Sequence, residues 1–427
     1  MMVANLKKNR FPMDDILAAD SVPNRLQPNC LNNLINHKRL KIAVLIRDFV
    51  TTGGAERYAC EVTRRLAREH EVHVFCQNWD ATVSEVIAFH RIPKPLAKPS
   101  FVNQLLFSFF TRRALASARP AFDIVHSHDK VTAFDLLTIH CPCFRGFITD
   151  KKTWLSRLLI WLSVITSPRS LGYLGLEKGQ FTLRPDRRLI AVSTSVKEDV
   201  QHNYPLPGSF FSLAQPGADY EQIRAVVDMA DRQALRQQYH FGPDDFVLLF
   251  VGTEFKRKGL GNLLAALARL DAPKVRLLVA GGGGGKMQIF KQLAQDLGLA
   301  DRVAFAGLVR DVFPLYALAD LFVLPTISDP CPMSPVEAMA GGLATIMSRS
   351  PFCGTAEHIR QDEALILQDP TDLDELVAAI RQGMDRDCRA QLQEKGQRLA
   401  QTLSWEKTAA ATLEAYQQLL DARPPKS

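Results

Sequence analysis

A chain of 427 residues is longer than one ordinary core organises, and two α/β domains of roughly 150–200 residues are the natural expectation. Hydrophobic residues make up 47% and charged residues 23%, a balance that excludes a disordered chain. The formal charge of +7 asks for an acidic partner, and nucleic acid, anionic lipid and phosphorylated sugars all fit. Cysteines stand at 30, 60, 76, 141, 143, 331, 353 and 388. Only Cys141 and Cys143 are close, and no second Cys or His pair stands at zinc spacing. That pattern predicts free, mostly buried thiols in a reducing compartment and no structural metal. No long apolar run follows the first basic residues, so no signal peptide is expected. The longest apolar stretch, residues 154–166, is interrupted by Arg157 and too short to span a bilayer, which places the protein in the cytoplasm.

Residues 1–38 mix polar, charged and proline positions without a period and read as a loosely ordered tail. Structure begins at Lys41. Residues 42–46 form a short β-rich apolar run, the mark of a strand buried on both faces. A Thr-Thr-Gly-Gly turn follows, then helical spacing over 55–68 and a strand at Glu71–Cys76. Further strands are predicted at 122–126, Leu136–Ile139 and 189–192. After breaks at Pro205-Leu206-Pro207-Gly208 and Pro216-Gly217 the rhythm restarts. Strands at Phe246–Val251, Val275–Ala280, 303–305 and Leu321–Leu324 alternate with helices at 262–270, 288–297 and 335–340. A final amphipathic helix, Trp405–Asp421, follows Ser404 as its N-cap. Strand and helix in this alternation mean parallel βαβ units. The expected architecture is therefore α/β, with an N-terminal domain over 39–205 and a C-terminal domain over 206–427 that includes the last helix. Ligands of such sheets sit outside the carboxyl ends of the strands, so the chemistry belongs in the cleft between them.

Four motifs stand at such strand ends. Thr51-Thr52-Gly53-Gly54 lets backbone approach a ligand at a helix start, yet it lacks the full GxGxxG pattern, and a plain tight turn explains it equally. In 252–259, Gly-Thr-Glu-Phe-Lys-Arg-Lys-Gly, Arg257 and Lys258 can neutralise a diphosphate as a fork and a point charge. The bland alternative is a solvated basic loop. Gly281–Gly285 with Lys286 fails as a P-loop because Met287 replaces the Ser or Thr, and reads as a pocket-lining loop. In 328–342, Asp329 lies in a loop, Ser334 is the expected N-cap, Pro335 opens a helix and Glu337 sits in its first turn. Two carboxylates across a helix start can face one ligand. They can equally be a cap acid and a dipole-compensating Glu.

Residues 329–342 resemble the acidic-x7-Glu motif of the family 4 retaining glycosyltransferases, with Asp in place of the commoner first Glu. Residues 252–259 resemble that family's Arg-Lys loop, 53–57 its N-terminal glycine turn, and 279–283 its second glycine loop, all in the family's order. The narrower resemblance is to the branch that builds the lipopolysaccharide core, carried by Gly53-Gly54, Phe75-Cys76-Gln77-Asn78-Trp79, Asp129-Lys130 and 252–259. The resemblance implies a GT-B fold, two Rossmann-like domains facing across a cleft. It further implies a hexosyltransferase moving sugar from a nucleoside-diphosphate donor, UDP-glucose or similar, to a glycan or glycolipid, with no cofactor and no metal. On it, Arg257 and Lys258 grip the diphosphate, Glu337 binds the ribose and Asp329 the sugar hydroxyls. Gly53, Gly54, Gly252, Val309, Met333 and Ser334 complete the donor site. His140 falls where many members carry a histidine near the reacting sugar, whereas the lipopolysaccharide branch has an acid there. Pro332 replaces a usual Gly or Ser and removes one backbone donor. The absence of an Asp-x-Asp loop agrees with metal independence.

His126-Ser127-His128-Asp129 has metal-like residue types, but without a third partner it reads as a histidine pair in the cleft wall. Residues 144–171 mix Lys151, Lys152, Trp154, Arg157, Trp161 and Arg169 with leucines and isoleucines. A buried helix and a peripheral patch for the anionic inner membrane face explain them equally. Two other functions compete: a sugar-nucleotide epimerase on the same scaffold and a non-enzymatic nucleotide-binding protein. No basic stripe interleaved with aromatics marks a nucleic-acid module, so no nucleic-acid partner is expected.

Overall fold

A computed structural model describes residues 39–80, 86–96, 98–118, 120–149 and 153–423; the expected N-terminal tail at 1–38 lies outside the described residues. The first half carries strands β1 (Lys41–Leu45), β2 (Asp48–Phe49), β3 (Glu71–Cys76), β4 (Asn78–Trp79), β5 (Ala88–Arg91), β6 (Ile124–Ser127), β7 (Leu136–Ile139), β8 (Arg188–Ala191) and β9 (Phe211–Leu213). The second half carries β10 (Phe246–Val251), β11 (Val275–Ala280), β12 (Val303–Gly307), β13 (Leu321–Leu324), β14 (Ala344–Ser348) and β15 (Leu365–Leu367). Two large sheets result, ordered β5-β3-β1-β6-β7-β8-β9 and β12-β11-β10-β13-β14-β15, with β2 and β4 forming a small separate pair. The ladders are parallel throughout, as in β1 with β3 and β6, and β10 with β11 and β13.

Parallel strands joined by helical crossovers are covered on both faces, and the burial shows it. Every residue of β7, β13 and β14 is buried, and Val247, Leu248, Leu249 and Phe250 of β10 are fully enclosed. The helix Gly54–Leu66 turns Tyr58, Ala59, Val62 and Leu66 inward at helical spacing and places Glu56 in its first turn, where the helix dipole favours an anion. In each sheet the strand order reverses beside the first strand, and this is the doubly wound, two-sheet GT-B arrangement expected from sequence.

The division between the halves differs from the boundary expected at 205/206. β9 adds a seventh strand to the first sheet, so that sheet extends to residue 213. The final helix Trp405–Asp421, expected in the C-terminal half, instead packs on the helix Gly54–Leu66 and on β8 and β9. An amphipathic helix must bury its apolar face, but its sequence does not say against which partner. Trp405 and Tyr416 are fully buried there, and Trp405 meets the Tyr58 ring edge-on at 5.7 Å.

The chain returns to the first sheet through a narrow seam. Ala218 pairs with Ser404, the Ala218 amide donates to the Leu403 carbonyl at 2.8 Å, and the Thr408 hydroxyl donates to the Gln215 carbonyl at 2.7 Å. A Cβ at Gly217 would stand 2.2 Å from the Ser404 carbonyl carbon, so only glycine lets the two segments touch. Among the described residues no helix is long and apolar enough to cross a membrane.

Trp405→Ala is expected to lower stability by about 3–5 kcal/mol, the range for deleting a buried large aromatic. Urea unfolding of the two proteins measures it; a loss under about 1 kcal/mol would mean that the final helix does not seal the first domain.

Candidate active site

The carboxyl ends of β1 in one sheet and of β10 and β13 in the other open onto a single cavity of about 540 Å³. Its wall includes every residue expected from the sequence to catalyse or bind the donor: Gly53, Gly54 and His140 from the first half, and Gly252, Arg257, Lys258, Val309, Asp329, Met333, Ser334 and Glu337 from the second; of the Gly281–Gly285 loop read as pocket-lining, only Gly281 reaches it. Arg57, Tyr58 and Arg310 also line it. The lining holds four cations, Arg57, Arg257, Lys258 and Arg310, against the carboxylates Asp329 and Glu337. A cavity with that excess favours an anionic ligand.

Glycines shape the wall for different reasons. Gly53 has φ 105°, a left-handed backbone that favours glycine, and a Cβ there would meet the Glu56 carboxylate at 2.3 Å. At Gly54 a Cβ would meet nothing within 4 Å, so the fold itself does not demand glycine; the open space faces the cavity. At Gly252 a Cβ would collide with Lys258 Cδ at 2.2 Å. The lysine stem therefore lies across this glycine, and its ammonium is delivered to Asp329 Oδ2 at 2.6 Å.

Arg257 stands beside Lys258 on the same carboxylate. Its Nη1 lies 3.4 Å from Asp329 Oδ1 and donates to the Ser328 carbonyl at 2.5 Å. The Arg257 carbonyl in turn accepts from the Ile327 amide at 2.9 Å and the Thr326 hydroxyl at 3.1 Å. The basic loop is therefore held against the 326–329 segment and is not a solvated run. Asp329 is buried, and its amide donates to the Phe352 carbonyl at 2.8 Å. Both of its carboxylate oxygens face the two cations.

Glu337 is 3% exposed and joins the two halves. Arg57 Nη1, from the first-half helix, lies 2.5 Å from Glu337 Oε1, while the Tyr316 hydroxyl donates to Oε2 at 3.0 Å. Glu337 is thereby held between a guanidinium from the first half and a hydroxyl from the second. Burial would lower the Arg57 guanidinium; Glu337, Glu61 and Tyr316 outweigh it and hold it above the ordinary arginine value. The Arg57 guanidinium also lies over the Phe313 ring, 5.4 Å from its centroid.

Ser334 differs from its expected role. The helix is Ser334–Ala340 with Met333 before it, and no side chain caps its start. The Ser334 hydroxyl donates back to the Val251 carbonyl at 3.4 Å, tying the helix to the end of β10. The Pro332 carbonyl accepts from the Thr355 hydroxyl at 2.6 Å.

His140 lies at the cavity wall, and its Nε2 is 3.1 Å from Nδ1 of the buried His128. His126 is buried between the hydroxyls of Tyr416 and Thr138. Among the described residues no group of three or more His, Cys, Asp or Glu side chains is placed to hold a metal ion. Arg57 and Tyr316 are site residues that sequence reasoning did not assign. For Arg57 a signal existed, a cation in the first turn after the glycine pair; for Tyr316 none did. Of the histidine pair read into the cleft wall, His128 stands directly behind the wall residue His140.

Two family models match adjoining stretches of the chain: Glycosyltransferase Family 4 over residues 52–222 and Glycosyl transferases group 1 over residues 231–399. The chain is similar to the lipopolysaccharide glucosyltransferase WaaG of Escherichia coli (strain K12), 23% identical over 346 residues, 80% of this chain and 89% of the relative. The crystal structure of WaaG matches with a TM-score of 0.75 at 22% identity, over 88% of this chain and 99% of that one. D-inositol 3-phosphate glycosyltransferase 2 of Catenulispora acidiphila is 26% identical over 412 residues, 86% of this chain and 91% of the relative. The structure of Anabaena Alr3699/HepE in complex with UDP and glucose matches with a TM-score of 0.63 at 19% identity, over 88% and 98% of the two chains.

The histidine cluster makes stability depend on pH. Burial pushes His126 down to about 3 and His140 to about 4, and lowers His128 well below its ordinary value. In the unfolded chain each titrates near 6.5. As pH falls below about 6.5 the unfolded state takes up protons that the folded state refuses, so stability is full above pH 7 and declines toward pH 4. Thermal unfolding from pH 8 to pH 5 is expected to show a falling Tm; a flat profile would contradict the buried neutral cluster.

Proposed function

Because this chain belongs to the family 4 glycosyltransferases, we propose that it transfers a hexose, with retention of anomeric configuration, from a nucleoside-diphosphate sugar to a glycan or glycolipid acceptor. UDP-glucose is the donor we favour, and the lipopolysaccharide core the acceptor. The reading rests on Arg257 and Lys258 standing side by side over Asp329 at the strand ends. It is supported by the glucosyl activity in WaaG's name and by the UDP and glucose bound to HepE.

In this reading the diphosphate replaces part of the Asp329 interaction, and Arg257 and Lys258 meet the negative charge that grows on the leaving oxygen. Glu337, held by Arg57 and Tyr316 at the cavity wall, takes a ribose hydroxyl. Gly54 leaves room for the donor from the opposite wall. Asp329 acts first as the anchor that aims the two cations and then as a partner for sugar hydroxyls. The acceptor oxygen attacks the anomeric carbon as the bond to the phosphate oxygen breaks. That phosphate oxygen then takes the acceptor's proton on the same face. The cations neutralise the diphosphate, which is why we propose that no metal is required.

One exposed face also supports an acceptor held at a membrane. On the helix Trp154–Ile165, Trp154 is 76% exposed, and Leu158, Leu159, Leu162 and Ile165 are exposed with it. These residues are not a buried helix face, and tryptophan with neighbouring basic residues suits an anionic interface. We propose that this helix rests on the anionic inner face of the cytoplasmic membrane.

Glu337→Ala and Lys258→Ala are each expected to lower sugar transfer at least about 100-fold with an unchanged circular dichroism spectrum. Thermal shift with UDP, GDP and ADP, each with magnesium or a chelator, tests the donor. A rise with UDP under both conditions supports the reading, and a response to none of the three would sink it. Turnover of UDP-glucose without any acceptor would instead favour an epimerase. For the membrane contact, Trp154→Ser with Leu158→Ser is expected to abolish co-sedimentation with phosphatidylglycerol vesicles; sedimentation equal to the parent protein would refute it.

A further inference from the structure

His140 lines the cavity, and directly behind it stands His128, 7% exposed. His128 Nδ1 and His140 Nε2 are 3.1 Å apart, with ring planes inclined by 28°. His126, the other neighbour, is already committed: its Nδ1 lies 2.8 Å from the Tyr416 hydroxyl and its Nε2 2.7 Å from the Thr138 hydroxyl. The remaining nitrogen of His128, Nε2, is buried without a partner. The remaining nitrogen of His140, Nδ1, has no protein partner among the described residues.

These facts limit where the protons can be. Burial keeps both rings neutral at physiological pH, with His140 pushed down to about 4 and His128 lowered well below its ordinary value. Between two neutral imidazoles one nitrogen donates and the other accepts. If His128 carried its proton on Nε2, a buried N–H would be left with no acceptor, the rarer kind of orphan in folded proteins. With the proton on Nδ1 the bond to His140 is made, and only a lone pair goes unused.

We infer that His128 is a positioning residue: its Nδ1–H donates to His140 Nε2 and thereby fixes His140 with its own proton on Nδ1. The inference rests on the transferase reading above. His140 then meets the donor sugar as a hydrogen-bond donor, recognising an oxygen of the transferred hexose. Its Nδ1 holds no lone pair to take the acceptor's proton, which leaves that proton to the departing phosphate. Tyr58 holds the plane of the ring, meeting His140 edge-on at 4.9 Å while its own hydroxyl donates to the Ala214 carbonyl at 2.8 Å.

Ring nitrogen NMR on histidine-labelled full-length protein reads the tautomer directly, with His140 assigned by the signal lost in His140→Gln. The wild-type His140 is expected in the Nδ1–H form, and His128→Leu is expected to shift it toward Nε2–H. In the same variant kcat should fall about 10- to 50-fold with the donor KM little changed. His128→Asn, whose amide nitrogen can stand near the Nδ1 position, should recover kcat to within about 3-fold of wild type. A wild-type His140 protonated on Nε2 overturns the inference even if His128→Leu does not fold. Equal kcat losses in the Leu and Asn variants also overturn it. A wild-type protein that transfers no sugar would refute the transferase reading instead, and the tautomer measurement would still stand as a separate result.

Discussion

A parallel strand can pair with its neighbour only after the chain has crossed back over the sheet, and the two large sheets here obey that constraint. The crossovers put helices on both faces, which is why β7, β13 and β14 are buried along their whole length. They also bring every strand out in the same direction, so the segments after β1, β10 and β13 gather at one edge of each sheet. Gly53, Gly252 and Asp329 are neighbours of the cavity for that reason. The chemistry of the site is a consequence of strand direction before it is a consequence of any side chain.

Within that frame the decisive local contact is a buried one. Lys258 and Asp329 are paired at 2.6 Å with little exposure on either side, and removing two charges from water is costly in itself. Such a pair is poor value as a stabilising device. It is more intelligible as a means of aiming: the carboxylate fixes the ammonium and the neighbouring guanidinium at one place in the wall. An arriving polyanion finds cations already oriented, with little side-chain freedom left to lose.

Much of this was legible in the sequence, and what was not has identifiable causes. Buried parallel strands read as short apolar runs, so β1, β3, β7, β10, β11 and β13 were visible without the structure. The helix Ser100–Ser117 was not, because its buried face mixes polar residues with Phe107 and shows no apolar period. It buries Asn103, Gln104, Ser108 and Thr111 and exposes Phe109. Asn103 is satisfied inside by Gln77 through a reciprocal amide pair of 2.9 and 3.0 Å, a partner no local period announces. β9 is three residues long and only half-buried, too short for a signal. At the site, glycine turns and the Arg-Lys pair are local in sequence and were readable. Arg57 reaches Glu337, and Tyr416 reaches His126, from opposite ends of the chain; only the fold brings such pairs together.

The seam at Gly217 and Ser404 carries a meaning for how the protein can be divided. The first domain is discontinuous in the gene: its sheet ends at Leu213, but Trp405 and Tyr416 close its helix-facing side only after the whole second domain has been made. On the ribosome the first half must wait, with the apolar surface around Tyr58 uncovered, until the last helix emerges. A clean cut in the linker would yield two incomplete pieces, whereas moving the segment 404–421 to the front of residue 39 would restore a first domain encoded in one stretch. The two halves are also tethered twice, by the outgoing and the returning segment, so any opening of the cleft is confined to bending about that paired strap.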